Sequence, residues 1–147
     1  MINENRLNHI LGVARKAYKI AKSLDFDENF SRKMFALGWN HDIGYEFDPN
    51  YHESVGADIL AGWEYSEYIR THGIVPQNID IEWIIINLAD MTTSPTGKEI
   101  SLDDRLKEIE SRYGTNNIWY QQSKSVCDVL KNYLETKKGE KIWKLIQ

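Results

Sequence analysis

Ile79-Asp80-Ile81-Glu82-Trp83-Ile84-Ile85-Ile86-Asn87-Leu88-Ala89-Asp90-Met91 is the stretch on which the fold turns. Its isoleucine run has strong β-propensity, and periodicity alone does not separate a buried strand from a buried helix. Length decides the matter. The stretch is longer than ordinary strands of about 5–6 residues, and no alternating segment elsewhere in the chain offers itself as a partner strand. A helix is predicted here, and with it an all-α chain.

Helical spacing extends outward in both directions. Leu7, Leu11, Ala14, Tyr18 and Ala21 recur at three- and four-residue steps, which predicts a helix from about Asn5 to Leu24 that breaks at Asp25 and Asp27. Phe30, Met34, Leu37 and His41 form the next stripe, closed by Gly44 and Asp48-Pro49-Asn50. Val55, Gly56, Ile59 and Leu60 mark a third helix, and Tyr65, Tyr68, Ile69 and His72 a fourth that ends at Gly73 and Pro76. After a surface turn over 92–98, Ser101 and Asp104 form a capping-box variant that opens Leu102, Leu106 and Ile109. Val126, Val129, Leu130 and Tyr133 line another helix, and the tail Ile142, Trp143 and Ile146 packs back as a short one. The expectation is one domain over 1–147, a compact bundle of about six to seven helices. The stripe within 117–135 fits burial in the monomer or across a homodimer.

Composition narrows the function classes. The 147 residues carry 18 basic and 22 acidic side chains for a net charge of −4, are 41% hydrophobic, and include a single cysteine, Cys127. A chain of this size buries enough surface for a core without staples, and a lone cysteine forms no internal disulfide. With no basic-then-apolar run at the N-terminus, a reducing cytoplasmic location is expected. The longest apolar run, Trp83 to Ile86, is far short of the roughly 18 residues of a membrane helix, so no membrane association is expected. The mild acidity and absence of a basic run argue against duplex nucleic acid, whereas a small phosphorylated ligand needs only a local cation.

The four histidines, His9, His41, His52 and His72, each fall where a helix begins, ends or turns its apolar stripe. His9 continues into Val13, Ala17 and Ile20, His41 completes Phe30-Met34-Leu37, and Asp90 follows Trp83 and Ile86 at helical spacing. One inward histidine is ordinarily a hydrogen-bonded core residue. Four of them with Asp42 and Asp90 make a set of nitrogen and oxygen donors suited to iron, manganese, cobalt, nickel or zinc, because a buried carboxylate requires a cationic partner. Arg6, three residues before His9 on the same helix face, is placed to reach over such a pocket.

These residues resemble the HD-domain metal-dependent phosphohydrolases. The match reads Arg6-x-x-His9, His41-Asp42-Ile43-Gly44, His52-Glu53-Ser54-Val55-Gly56-Ala57, Ile69-Arg70-Thr71-His72 and Leu88-Ala89-Asp90, and the segment from Ala89 through Asp104-Arg105-Leu106 is similar to small bacterial members. The resemblance implies an all-α bundle holding one or two divalent transition-metal ions, with His9, His41, Asp42 and Asp90 around one, His52 and His72 around a second, and Asp42 bridging. It implies hydrolysis of a phosphate ester of a nucleotide or other small metabolite by a metal-activated water. Asp42 and Arg6 then carry catalysis, and Arg6, Tyr45 and Lys98 contact substrate, with Arg105 a further cation at the pocket mouth. Asn40, Asn87 and Glu53 are the expected orienters of the imidazoles. Tyr45 stands where the family often has lysine, so phosphate contact must come from another residue. Trp39, Tyr45, Phe47, Tyr51 and Trp63 cluster near the ligands in sequence and offer a stacking surface for a nucleobase or sugar.

Two other readings stay open on the sequence. Some members of the superfamily use the same donor set for a di-iron oxygenase, and a metal site can also support a non-catalytic module.

Overall fold

The computed structural model describes residues 2–146. Helix α1 spans Glu4–Ser23, α2 Glu28–Asn40, α3 His52–Ile59, α4 Ser66–Thr71, α5 Ile81–Met91, α6 Leu102–Tyr113, α7 Ile118–Leu134, α8 Lys137–Glu140 and α9 Trp143–Ile146. Two 3₁₀ turns, Ile43–Glu46 and Pro49–Tyr51, link α2 to α3. The chain is all-α. Among the described residues there is no strand, and one isolated bridge pairs Thr93 with Glu99.

Starts are set by local chemistry. Asn3, Asp27, Asp80 and Ser101 accept hydrogen bonds from the backbone N–H of Arg6, Phe30, Trp83 and Asp104 at 2.8–3.1 Å, each satisfying a donor the helix cannot. At the other end of α5, Thr92 and Thr93 donate their hydroxyls to the carbonyls of Leu88 and Ala89 at 2.6 and 2.7 Å.

Helix α5 is the axis of the molecule. Trp83, Ile85, Ile86, Asn87, Leu88 and Ala89 are fully buried, so this helix is apolar around most of its circumference, as expected of a core helix rather than a surface one. Its β-branched residues yield to tertiary burial. Helices α1 and α2 pack on it and on each other, and Gly38 permits their close approach: a Cβ there would sit 2.7 Å from the Ala14 Cα. Three residues after Gly38 comes His41, which this contact sets against His9, with ring centroids 5.4 Å apart.

Three local expectations differ from what is observed. Helix α4 stops at Thr71, and His72 is its C-cap with ψ 136°, so this histidine lies beyond the helix rather than on its stripe. In α3 the buried positions are Gly56 and Ala57, while Ile59 is exposed, because the narrow face presented by Gly56 lets Ile69 pack against it. In the tail, Ile142 and Ile146 are buried but Trp143 faces solvent.

The core also steadies the loops that carry polar residues. Trp83 Nε1 donates to the carbonyls of Thr71 and Ile74, both at 3.1 Å, and Asn87 accepts from the Gly73 N–H at 2.8 Å, so α5 holds the segment around His72. Lys16, buried on α1, donates to the Thr92 carbonyl at 2.6 Å and pairs with Glu99, tying the segment after α5 to α1. No helix among the described residues is long and apolar enough to cross a membrane.

Candidate metal centre

Five segments converge on one point. His9 comes from α1, His41 and Asp42 from the end of α2, His52 from the start of α3, His72 from the end of α4, and Asp90 from the last turn of α5. His9, His41, Asp42 and His72 are buried, and the donor atoms fall into overlapping groups within 4.8 Å: His9, His41 and Asp42; His41, His72 and Asp90; Asp42, His52 and His72.

The tautomers can be read from the partners. His9 Nδ1 lies 2.8 Å from the Ser94 carbonyl, His41 Nδ1 2.6 Å from Gly38, His52 Nδ1 3.2 Å from Pro49 and His72 Nδ1 2.6 Å from Ile69. A carbonyl only accepts, so each Nδ1 is the protonated nitrogen, and in the neutral ring each Nε2 presents a lone pair. Those lone pairs face one another and the carboxylates. His52 and His72 Nε2 are 3.2 Å apart, His9 Nε2 is 2.9 Å from Asp90 Oδ1, and His41 Nε2 is buried with no hydrogen-bond partner. A set made of acceptors alone is repulsive unless cations enter it, and mixed imidazole and carboxylate donors are what divalent transition metals take. The residues present fit a metal ion.

Asp42 divides the cluster. Its Oδ2 is 3.3 Å from His41 Nε2 and 3.8 Å from His9 Nε2, and its Oδ1 is 3.5 Å from His52 Nε2 and 3.4 Å from His72 Nε2. One carboxylate thus serves two pairs of histidines. Burial of the His41 ring works against its charge, yet Asp42 and Asp90 outweigh burial and raise its pKa to about 10, so a proton on His41 Nε2 serves as the cation that a bound metal ion would replace. Burial and the neighbouring His72 push His52 down to about 4. Against the desolvation that would raise them, the histidines hold Asp42 and Asp90 well below the usual carboxylate range, His41 foremost.

The cluster opens into a cavity of about 230 Å³. Arg6 lines it, with Nη1 2.9 Å from Asp42 Oδ2 and its guanidinium 3.7 Å from the centre of the Tyr45 ring. That tyrosine also packs on His52, with centroids 4.1 Å apart, and burial raises its hydroxyl to about 12. Tyr45 therefore supports a cation where a lysine would supply one. Glu53 lines the cavity with Oε1 3.3 Å from His52 Nε2, and burial raises its carboxyl above the ordinary range.

The structure redistributes other expected roles. Lys98 is exposed and does not line the cavity, because the turn from Ser94 closes on itself, with the Ser94 N–H 2.7 Å from the Lys98 carbonyl. Gly97, at φ 87°, is the residue of that turn that meets α1, where a side chain would run into the Asn8 carbonyl. Backbone carbonyls, not Asn40 or Asn87, orient the imidazoles: Asn40 bonds back to Ala36, and Asn87 acts on the Gly73 backbone. Of the five aromatics near the ligands in sequence only Tyr45 reaches the cavity; Phe47 and Tyr51 are exposed, Trp39 stacks on Phe35, and Trp63 packs on Tyr65. The other aromatic residues that line it, Tyr113 and Trp119, come from α6 and α7 together with Arg105 and Arg112, and sequence reasoning passed over all of these but Arg105. For Arg112 and Tyr113 the signal is the i, i+4, i+7, i+8 series Arg105, Ile109, Arg112, Tyr113 along α6.

A helical bundle whose loops and helix ends gather four histidines and two aspartates is a protein with a centre able to hold metal ions. The HD domain family model matches residues 6–133, and the chain belongs to the HD-domain family, whose members are generally metal-dependent phosphohydrolases. Neither the curated proteins nor the solved structures give a match.

Proposed function

We propose that the protein is a metal-dependent phosphohydrolase that releases phosphate from a small phosphorylated molecule. One observation carries this reading: every imidazole in the cluster has its Nδ1 committed to a backbone carbonyl, so that four Nε2 lone pairs are directed at a space shared with two carboxylates and one arginine. His9, His41, Asp90 and Asp42 Oδ2 would hold one ion, and His52, His72 and Asp42 Oδ1 a second. A bound divalent ion supplies Lewis acidity, bringing the pKa of water from about 15.7 towards 7 and offsetting charge on the phosphoryl oxygens.

The chain's own groups do the rest. Arg6, fixed by Asp42 on one side and the Tyr45 ring on the other, binds a phosphoryl oxygen with little loss of side-chain freedom. Glu53, whose carboxyl holds its proton to higher pH than an exposed glutamate, is the group beside the cluster suited to move a proton at Oε1. Asp42 orients both histidine pairs.

The test is elemental analysis of protein purified without chelator, beside His52→Ala, followed by a phosphate-ester panel in the metal found. About two equivalents falling to one in the variant, with phosphate released, is the expected result. Turnover that consumes oxygen and stops under nitrogen would replace hydrolysis by oxygenase chemistry, and a metal-free protein would end both readings.

A further inference from the structure

We infer that the α6–α7 wall of the cavity is a second anion subsite, so that the substrate carries, besides the phosphoryl group at the His/Asp cluster, another phosphate or carboxylate bound by Arg105 and Arg112. The inference rests on the phosphohydrolase reading and adds a substrate class to it.

Arg105 is only 8% exposed although it lies on a helix rich in solvated charge. Its Nη1 is 2.6 Å from Glu108 Oε2, but its Nε is buried with no hydrogen-bond partner, and the residue lines the cavity. A buried donor left without an acceptor is unfavourable, and Arg105 is the lining cation that carries one. Arg112 lines the same wall about two helical turns further on, with Nε 2.6 Å from Glu108 Oε1 and Nη2 3.2 Å from Oε2. Glu108 thus holds two guanidinium groups with one carboxylate, and the wall keeps a net positive charge.

Neither arginine serves the metal cluster. Asp42 takes its cation from Arg6, and Asp90 takes its contacts from His9 and His41. A solvated helix face with i,i+3 and i,i+4 ion pairs would leave both arginines exposed, whereas Arg105 is buried towards a polar cavity. The neutral side chains of Gln122 and Ser123, from α7, add hydrogen-bonding groups to the wall. A volume of about 230 Å³ is below the roughly 300 Å³ at which pockets for larger ligands begin, so the two anionic groups belong to one compact molecule.

Three phosphonates of equal chain length test this, because their carbon–phosphorus bond resists hydrolysis: propylphosphonate with one anionic group, 3-phosphonopropionate with an added carboxylate, and propane-1,3-bisphosphonate with an added phosphonate. Titration calorimetry on metal-loaded protein should show at least one of the two-anion compounds binding about tenfold or more tighter than propylphosphonate, as expected for a charge-assisted contact. Which one binds tighter identifies the second group. In Arg105→Gln that advantage should vanish while the affinity for propylphosphonate stays within twofold, and Arg105→Lys should restore part of it. Equal affinity for all three compounds in the unaltered protein, or an advantage that survives in Arg105→Gln, overturns the subsite. Should Arg105→Gln lose its helical circular dichroism, Arg112→Gln together with the unaltered protein decides the question on the same terms. An arginine-dependent preference without phosphate release from any ester would sink the hydrolase reading alone; phosphate release without the preference would sink the subsite alone.

Discussion

The two sides of the cavity are built on opposite plans. The metal-facing side takes most of its donors from helix ends and fixes each imidazole by a backbone carbonyl, so its imidazoles are as rigid as the helices that present them. The α6–α7 wall takes its groups from along α6, from Arg105 to its last residue Tyr113, and from the first turns of α7, and two of them, Tyr113 and Trp119, are more than two-fifths exposed. The first side leaves no freedom to groups that must keep a shared geometry, and the second leaves room for side chains that meet a ligand. On the proposed function, the groups that would hold metal and those that would meet the rest of the substrate are thereby separated in space.

The largest test of that division is Asp42→Ala, which removes the carboxylate standing between both histidine pairs. Phosphate release should fall by about a thousandfold or more, and metal content should drop with it. Helical circular dichroism should be largely kept, because Asp42 caps no helix through its side chain. Activity within tenfold of the parent would show that the two histidine pairs do not act through Asp42.

A pair of tryptophans sharpens the comparison. Trp83 is fully buried in α5 and bonds to the carbonyls that flank His72, so Trp83→Ala should cost about 3–5 kcal/mol and lower the melting temperature by about 10 °C or more. Trp119 is 47% exposed, and Trp119→Ala should cost about 1 kcal/mol or less while weakening ligand binding. Equal destabilisation by the two would mean that the wall is part of the core rather than a recognition surface.

Removing the metal is the next smaller effect. A ligand that binds only the native state stabilises it by about 2.7 kcal/mol at a hundred times its dissociation constant. Treatment with chelator should therefore lower the melting temperature by several degrees, reversibly on adding metal back, and amide exchange should rise first in the segments around His52 and His72, which the cluster joins to α1 and α2. Loss of protection confined to α6 and α7 would reverse the assignment of the two sides.

What the sequence discloses follows the same division. The all-α fold was readable from the length of the 79–91 stretch and the lack of a partner for it, and the cluster from histidines and aspartates on inward stripes. The groups that set the imidazole tautomers were not readable, because Ser94, Gly38, Pro49 and Ile69 act through carbonyls that every residue possesses. The apolar spacing carries His72 onto a helix that ends one residue earlier, since an extended C-cap leaves that spacing intact. Chain proximity to Asp90 points Lys98 at the cavity, yet turn chemistry and the approach of Gly97 to α1 settle where that loop lies. Arg112, Tyr113 and Trp119 stand outside the residues that mark α6 and α7 in the sequence, and only the packing of α6 against α7 brings them together at the cavity.

The smallest effect concerns Cys127, on the buried face of α7, and it measures whether the wall is firmly seated. Burial raises its thiol to about 11, with Lys131 acting in the opposite direction. The reactive form is the thiolate, and a pKa raised in the native state makes that form scarcer below it, so at pH 8 about one thiol in a thousand is ionised. A disulfide reagent at that pH should react with the native protein at least a hundredfold more slowly than with the unfolded chain, where the ordinary thiol pKa of about 8.5 applies. Reaction nearly as fast as in the unfolded chain, while circular dichroism and metal content stay intact, would mean that α7 opens independently of the metal-facing side. The contrast between a rigid catalytic side and an adaptable wall would then be one of local stability, with substrate binding drawing the wall closed rather than meeting it preformed.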